Sequence, residues 1–171
     1  MSTRANVLMK SSEWHEEIWF YRHCDGYPDG ALPTLCTFLK WLREDKIRDN
    51  AGQSSGWLIL IGAKECNVYR DDNFKKQPKK TLTEPIYDWK CGSYEPTTGR
   101  HGDIEFLYTI DLDSKQILVE EIYGDKETWE VSDELVESMS NVFIGEVDEV
   151  EEEKEQGAEF RKLVFIGEKD V

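Results

Sequence analysis

Apolar and polar residues alternate along two stretches near the start of the chain. "TRANVLMK" and "EIWFYRH" put every second residue on one side, the period of a half-buried strand. In the second, Ile18, Phe20 and Arg22 face one way, and Trp19, Tyr21 and His23 the other. The polar stretch "SSEWHE" between them predicts a hairpin turn. The period then changes. Leu35, Phe38, Leu39 and Leu42 recur at helical spacing, with Trp41 widening the stripe. A helix near 33–46 is predicted, opening at Pro33, where a missing N–H costs nothing at the first helical position.

"NAGQSSGWLILIGAKECN" has no clean period, and its run from Trp57 to Ile61 fits a buried strand or a buried helix. The small residues before it suit close packing of a helix, so a helix is expected over 51–66. A lysine-rich polar loop follows, and "IYDWKC" alternates with Tyr87, Trp89 and Cys91 on one face. "DIEFLYTIDLD" alternates more clearly, grouping Ile104, Phe106, Tyr108 and Ile110. Asp113 and Ser114 supply a turn, "QILVEEIY" returns as an antiparallel partner, and a short strand is expected around Thr128–Val131. Ser132 can cap a last helix, with Asp133 and Glu134 in its first turn and Leu135, Val136, Met139, Val142 and Phe143 on its apolar face. The sum is an α+β domain: an antiparallel sheet of four or five strands with two or three helices packed on one face. One domain is expected over 1–145, then an acidic segment over 146–160 and a tail or edge strand over 161–171.

Composition sharpens this picture. Six Trp, seven Tyr and seven Phe in 171 residues provide a core without disulfides or metals. The formal charge of −15 is unevenly spread: residues 130–160 hold twelve acids and one base. Such a surface repels phosphate backbones and anionic lipid, which argues against direct nucleic-acid or membrane binding. No apolar run approaches the roughly 18 residues of a membrane span, and no apolar core follows the first arginine as in a signal peptide. A cytoplasmic protein with four reduced cysteines is expected.

The densest cluster of functional side chains is "FYRHCDGYPDG", residues 20–30. Turn formation accounts for its glycines, proline and aspartates. It does not account for Arg22 and His23. The alternative is a binding site in which Arg22, His23, Asp25 and Tyr27 line a pocket at the strand end, with Arg4 nearby if the first two strands pair. Arginine would offer a planar fork to an anion and tyrosine an aromatic wall. His101 and Asp103, in "GRHGDIE", form a second cluster just before a strand, where a carboxylate in contact can tune an imidazole. If that strand pairs with one of the first two, His101 approaches His23 and Asp25.

Metal and phosphate signatures are missing. No Cys-x-x-Cys or His-x-x-x-His spacing occurs, so neither a metal nor a cofactor is expected. "GQSSG", residues 52–56, lacks the lysine and hydroxyl of a phosphate loop. No nucleophile, base and orienting group stand at a spacing that defends a catalytic set, and the balance leans away from an enzyme.

The opening "STR", the run "YRHCDGYPDGALPTLCTFL" and the later "HGDIEFLYTID" resemble a family of short uncharacterised bacterial proteins, often carried by phages or prophages. The shared pattern is Ser or Gly, Thr, Arg, then Tyr-Arg-x-x-Asp-Gly-Tyr-Pro ahead of a helix. Ser2, Thr3 and Arg4 match it, as do Tyr21, Arg22, Asp25, Gly26, Tyr27 and Pro28. The resemblance implies a mobile-element origin and supplies no catalytic residues. It raises the expectation of an interaction protein that binds a basic host protein; the contact expected for it comes from the acidic segment outside the resemblance, Phe143, Glu146, Asp148, Glu149, Glu151, Glu152 and Glu153, which mixes an apolar anchor with charge. A small-molecule binder or enzyme built on Arg22, His23 and Asp25 is the competing expectation.

Overall fold

Alternation in the first two strands has the expected consequence. In β1 (Ala5–Ser11), Ala5, Val7 and Met9 are wholly buried, and in β2 (Glu16–Arg22) Phe20 joins them. The computed structural model describes residues 2–68 and 93–144. After β2 come α1 (Pro28–Arg43), α2 (Ala51–Val68), β3 (Glu95–Thr97), β4 (Phe106–Asp111), β5 (Gln116–Glu121), β6 (Thr128–Glu130) and α3 (Asp133–Ile144). The strands form one six-stranded sheet in the order β3-β2-β1-β4-β5-β6. The protein is α+β, as expected, with the three described helices on one face.

Two features of the sheet differ from the expectation. It has six strands, and it is mixed: β1 and β4 run parallel, while every other neighbouring pair is antiparallel. Parallel neighbours need a long crossover, which the chain between β2 and β4, with α1 and α2 in it, provides. The additional strand, β3, is three residues long and contains Pro96, tolerable at an edge where no N–H is needed on the open side. The expected strand at "IYDWKC" and the segments 146–160 and 161–171 lie outside the described residues.

α1 opens five residues before Pro33. Pro28 occupies its first turn, Asp29 adds a negative charge where the helix dipole is positive, and Pro33 lies within the helix. Its buried stripe (Leu32, Leu35, Phe38, Leu39 and Leu42) covers the sheet. α2 is a helix, as its length and small residues suggest. Its start is capped twice: Asn50 Oδ1 accepts the Gln53 N–H at 3.0 Å, and Glu16 Oε2 accepts the Ala51 N–H at 2.8 Å. α3 begins behind Ser132, whose hydroxyl accepts the Leu135 N–H. It lies along α1 with Lys40–Glu137 and Arg43–Asp133 ion pairs at their contact.

The core between sheet and helices gathers Val7, Met9, Phe20, Tyr108, Ile110, Ile117 and Val119 with the apolar sides of the helices. Ile104 does not join Phe106, Tyr108 and Ile110 there. The chain bends before β4 starts, and Ile104 enters a smaller cluster on the opposite face with Tyr21 and Leu107.

Candidate functional site: the open face of the sheet

The strand register decides which side chains share the face that no described helix covers. One row crosses the whole sheet: Thr97, Trp19, Leu8, Thr109, Leu118 and Glu130. The next row is Glu95, Tyr21, Asn6, Leu107, Glu120 and Thr128. Below the first lie Glu17, Lys10, Asp111 and Gln116. The centre of this face is therefore apolar, with Leu8 and Trp19 packed on Tyr21, Leu107 and Ile104. Its margin is acidic.

At one end of the face, where β1 and β4 begin and β2 ends, four of the residues singled out in the sequence meet around Tyr21. Arg4 reaches Asp103 at 2.7 Å, and the Tyr21 hydroxyl donates to the same Asp103 oxygen at 3.0 Å. The His101 ring stacks on Tyr21 with centroids 4.0 Å apart, and His23 meets that ring edge-on at 4.4 Å. Each imidazole has a further partner: His23 Nε2 lies 2.8 Å from Glu95, and His101 Nε2 lies 2.9 Å from the Thr97 hydroxyl. Asn6 anchors the group from below. Its amide donates to the Phe20 carbonyl, and its oxygen accepts the His101 backbone N–H at 2.7 Å.

The electrostatics follow from this geometry. Partial desolvation pushes the Asp103 carboxyl up, but the Tyr21 hydroxyl and the Arg4 guanidinium outweigh it and hold it below the usual carboxylate range. Burial raises the Tyr21 phenol, and its bond to Asp103 raises it further. Asp103 spends its carboxylate on Tyr21 and Arg4, while His101 Nε2 meets a threonine hydroxyl. The expected His101–Asp103 dyad is thus a shared scaffold around Tyr21 and not a direct base-and-orienter pair.

The remaining candidates go elsewhere. Arg22 points to the helical side and is 3% exposed. Its guanidinium pairs with both Glu65 oxygens at 2.8 and 2.9 Å, donates to the Asp25 and Gly30 carbonyls, and lies 5.2 Å from the centre of the Tyr94 ring. Every arm is occupied. Asp25 holds the turn with φ of 53°, and Tyr27 stands exposed at the N-cap of α1. Phe143 belongs to the last turn of α3, and Glu146, Asp148, Glu149, Glu151, Glu152 and Glu153 lie outside the described residues.

Among the described residues no group of three or more His, Cys, Asp and Glu side chains is placed to hold a metal ion. Cys24 is exposed, and burial pushes the Cys36 thiol up to about 12. A depression of about 270 Å³ lies between the β1–β2 turn and the start of α2, lined by Trp14, Arg48, Asp49, Asn50 and Gln53. None of the candidates from the sequence lines it. No described helix is long and apolar enough to cross a membrane.

Asn6, Tyr21, Glu95, Thr97 and the apolar row through Trp19 and Leu8 complete a site that the sequence only half marks. The signal for Tyr21 was its parity with His23. Glu95 and Thr97 gave none, because their strand is too short to show a period. Comparison with family models, with curated proteins and with solved structures returned no match. The chemistry of the site therefore rests on its geometry.

Proposed function

We propose that the protein is a non-enzymatic interaction module whose open sheet face binds a basic protein partner. One observation carries this reading: an apolar centre of Trp19, Leu8 and Leu118 is ringed by Glu17, Glu95, Asp111, Glu120 and Glu130, while among the described strand positions of that face Lys10 alone is basic, with Arg4 at its end paired to Asp103. An apolar centre inside a polar rim is the anatomy of a protein interface, and a rim of one sign selects a partner of the other. The Tyr21 cluster stiffens one end of that surface. The overall charge of −15 steers a basic partner from a distance, and residues 146–160 add to that steering. The resemblance to phage- and prophage-borne proteins supports a host protein of the cytoplasm as the partner, one whose basic surface serves nucleic acid.

The test is affinity capture from bacterial lysate at low and high salt with three full-length chains: the parent, a Trp19→Ser/Glu120→Lys variant, and one in which Glu146, Asp148, Glu149, Glu151, Glu152 and Glu153 become amides. The parent should retain a basic protein that salt releases, and the face variant, checked for an unchanged fold by circular dichroism, should lose it. Retention by the face variant combined with loss by the amide variant would move the interface to residues 146–153 and overturn the reading.

A further inference from the structure

Two of the chain's three histidines stand at one end of the open face, and between them they hold its edge strand. The side chains that β3 sends to this face are Glu95 and Thr97, and each ends on an imidazole. Glu95 lies 2.8 Å from His23 Nε2, and the Thr97 hydroxyl lies 2.9 Å from His101 Nε2. Both rings press on Tyr21, against which Trp19 and Leu8 of the apolar centre pack. Among the described residues, the charged groups that meet this cluster are Glu95 from β3, Asp103 from the loop before β4, and Arg4 from the residue before β1. Tyr21 of β2 is a further titratable group, and the exposed Arg100 and Cys24 adjoin the two rings along the chain. With both imidazoles neutral, two carboxylates face one guanidinium. With both protonated, three positive groups face the same two carboxylates, and the sign of the set reverses.

We propose that this end of the open face is a pH-controlled release for the basic partner, in which protons taken up by His23 and His101 in mild acid turn its charge from attracting to repelling. The inference rests on the open face being the binding surface. Imidazole is the side chain that ordinarily changes charge between about pH 5 and 8. The His23 side chain is 62% exposed and that of Glu95 64%, so a proton added there needs no opening of the fold. Nor does protonation break either contact. Both nitrogens of a charged imidazole are donors, and the Glu95 carboxylate and the Thr97 hydroxyl oxygen both accept. The change is one of charge at fixed shape. A charged His23 neutralises Glu95 at the rim, and a charged His101 sets a cation on the face of Tyr21, beside the apolar anchor. His15, the third histidine, lies in the β1–β2 turn at the far end of the strands.

The experiment is calorimetric titration of the full-length chain at low salt with an oligolysine peptide, a probe whose own charge is constant over the range. Binding should be roughly three- to tenfold weaker at about pH 5.5 than at about pH 7.5, the size expected of two exposed charges. By linkage, binding between those values should release protons, read by repeating the titration in buffers of different ionisation heat. His23→Gln should remove part of the pH dependence, and His23→Gln/His101→Gln, checked for fold by circular dichroism, should remove most of it together with the proton release. His15→Asn should keep both. An affinity indifferent to pH in the parent, or a pH dependence that survives in the double variant, overturns this inference; if Trp19→Ser/Glu120→Lys still weakens binding at neutral pH, the binding face itself stands. Binding by that face variant as tight as the parent's overturns the reading of the face and this inference with it.

Discussion

Arg22 shows what a buried charge demands of its surroundings. Its pair with Glu65 is desolvated on both sides, with side chains 4% and 5% exposed. Burial alone would lower the guanidinium's affinity for its proton, but Tyr94 and Glu65 outweigh it and the charge is held more firmly than in water. Removing one partner leaves the other charged and alone, at a cost of about 3–5 kcal/mol. Arg22→Ala should therefore lower unfolding stability by that amount in urea titration, and Arg22→Met with Glu65→Leu should recover most of it. Tyr94 packs on the same pair and contacts the Thr34 hydroxyl. Burial first, and then Glu65, push its phenol up to about 12 against the pull of Arg22. A tyrosine in the unfolded chain titrates near about 10, so the fold holds this proton more tightly. Its contribution is complete below about pH 10 and is lost as pH rises towards 12. In Tyr94→Phe the fall of stability across that window should be shallower, as read from urea midpoints at each pH. The sequence flagged Arg22 as more than a turn needs, and parity correctly set it opposite His23. Its partner Glu65 stands far along the chain in an aperiodic helix, and no local pattern links the two.

At the scale of elements, "DGYPDG" is the junction that seats α1 on the sheet. Gly26 lies against the start of β1, where a Cβ would sit 2.8 Å from the Ala5 nitrogen, and its carbonyl accepts the Tyr108 hydroxyl. Gly30, already in the first turn of α1, lies against Asp25, whose carbonyl oxygen a Cβ would strike. Substituting alanine at either position forces backbone apart and should cost about 1–3 kcal/mol, measurable as a lower urea midpoint with the fold retained. The hairpins, α1 and α3 were legible because their periods are strong and their turns and caps are local. The direction of β4 relative to β1 was not. A strand reads the same in either direction, and its pairing depends on how the intervening helices fold back. The start of α1 was misplaced for a related reason: Pro28 and Pro33 both suit a helix opening, and the contacts that seat the junction before Pro28, Gly26 against the start of β1 and its carbonyl on the Tyr108 hydroxyl, are tertiary. Of the site, the residue types were legible and their grouping was not, because Arg4, Tyr21 and Asp103 are joined by strand register.

For the molecule as a whole, the sheet divides its labour between two faces. One is closed by α1, α2 and α3 around an aliphatic and aromatic core. On the other, the described residues form a small cluster about Tyr21, Ile104 and Leu107, with Trp19 and Leu8 part-buried against it. Acid excess on that scale makes copies of the chain repel one another. The net charge was plain from composition, but its meaning depends on the face it rings, which only the register of β1 with β2 and β4 defines.

The parallel pairing of β1 with β4 also orders the birth of the molecule. During synthesis β1, β2 and both long helices emerge first, and the second edge of β1 stays bare until residues 106–111 arrive to cover it. Contacts that distant in sequence close slowly, and an uncovered strand edge is a template for any other strand nearby. Chains halted before Phe106 would carry that edge exposed, and aggregation should begin there. The bond from Arg4 to Asp103 spans nearly the same interval, so the end of the open face that it holds together can form only once the chain has grown to the threshold of β4.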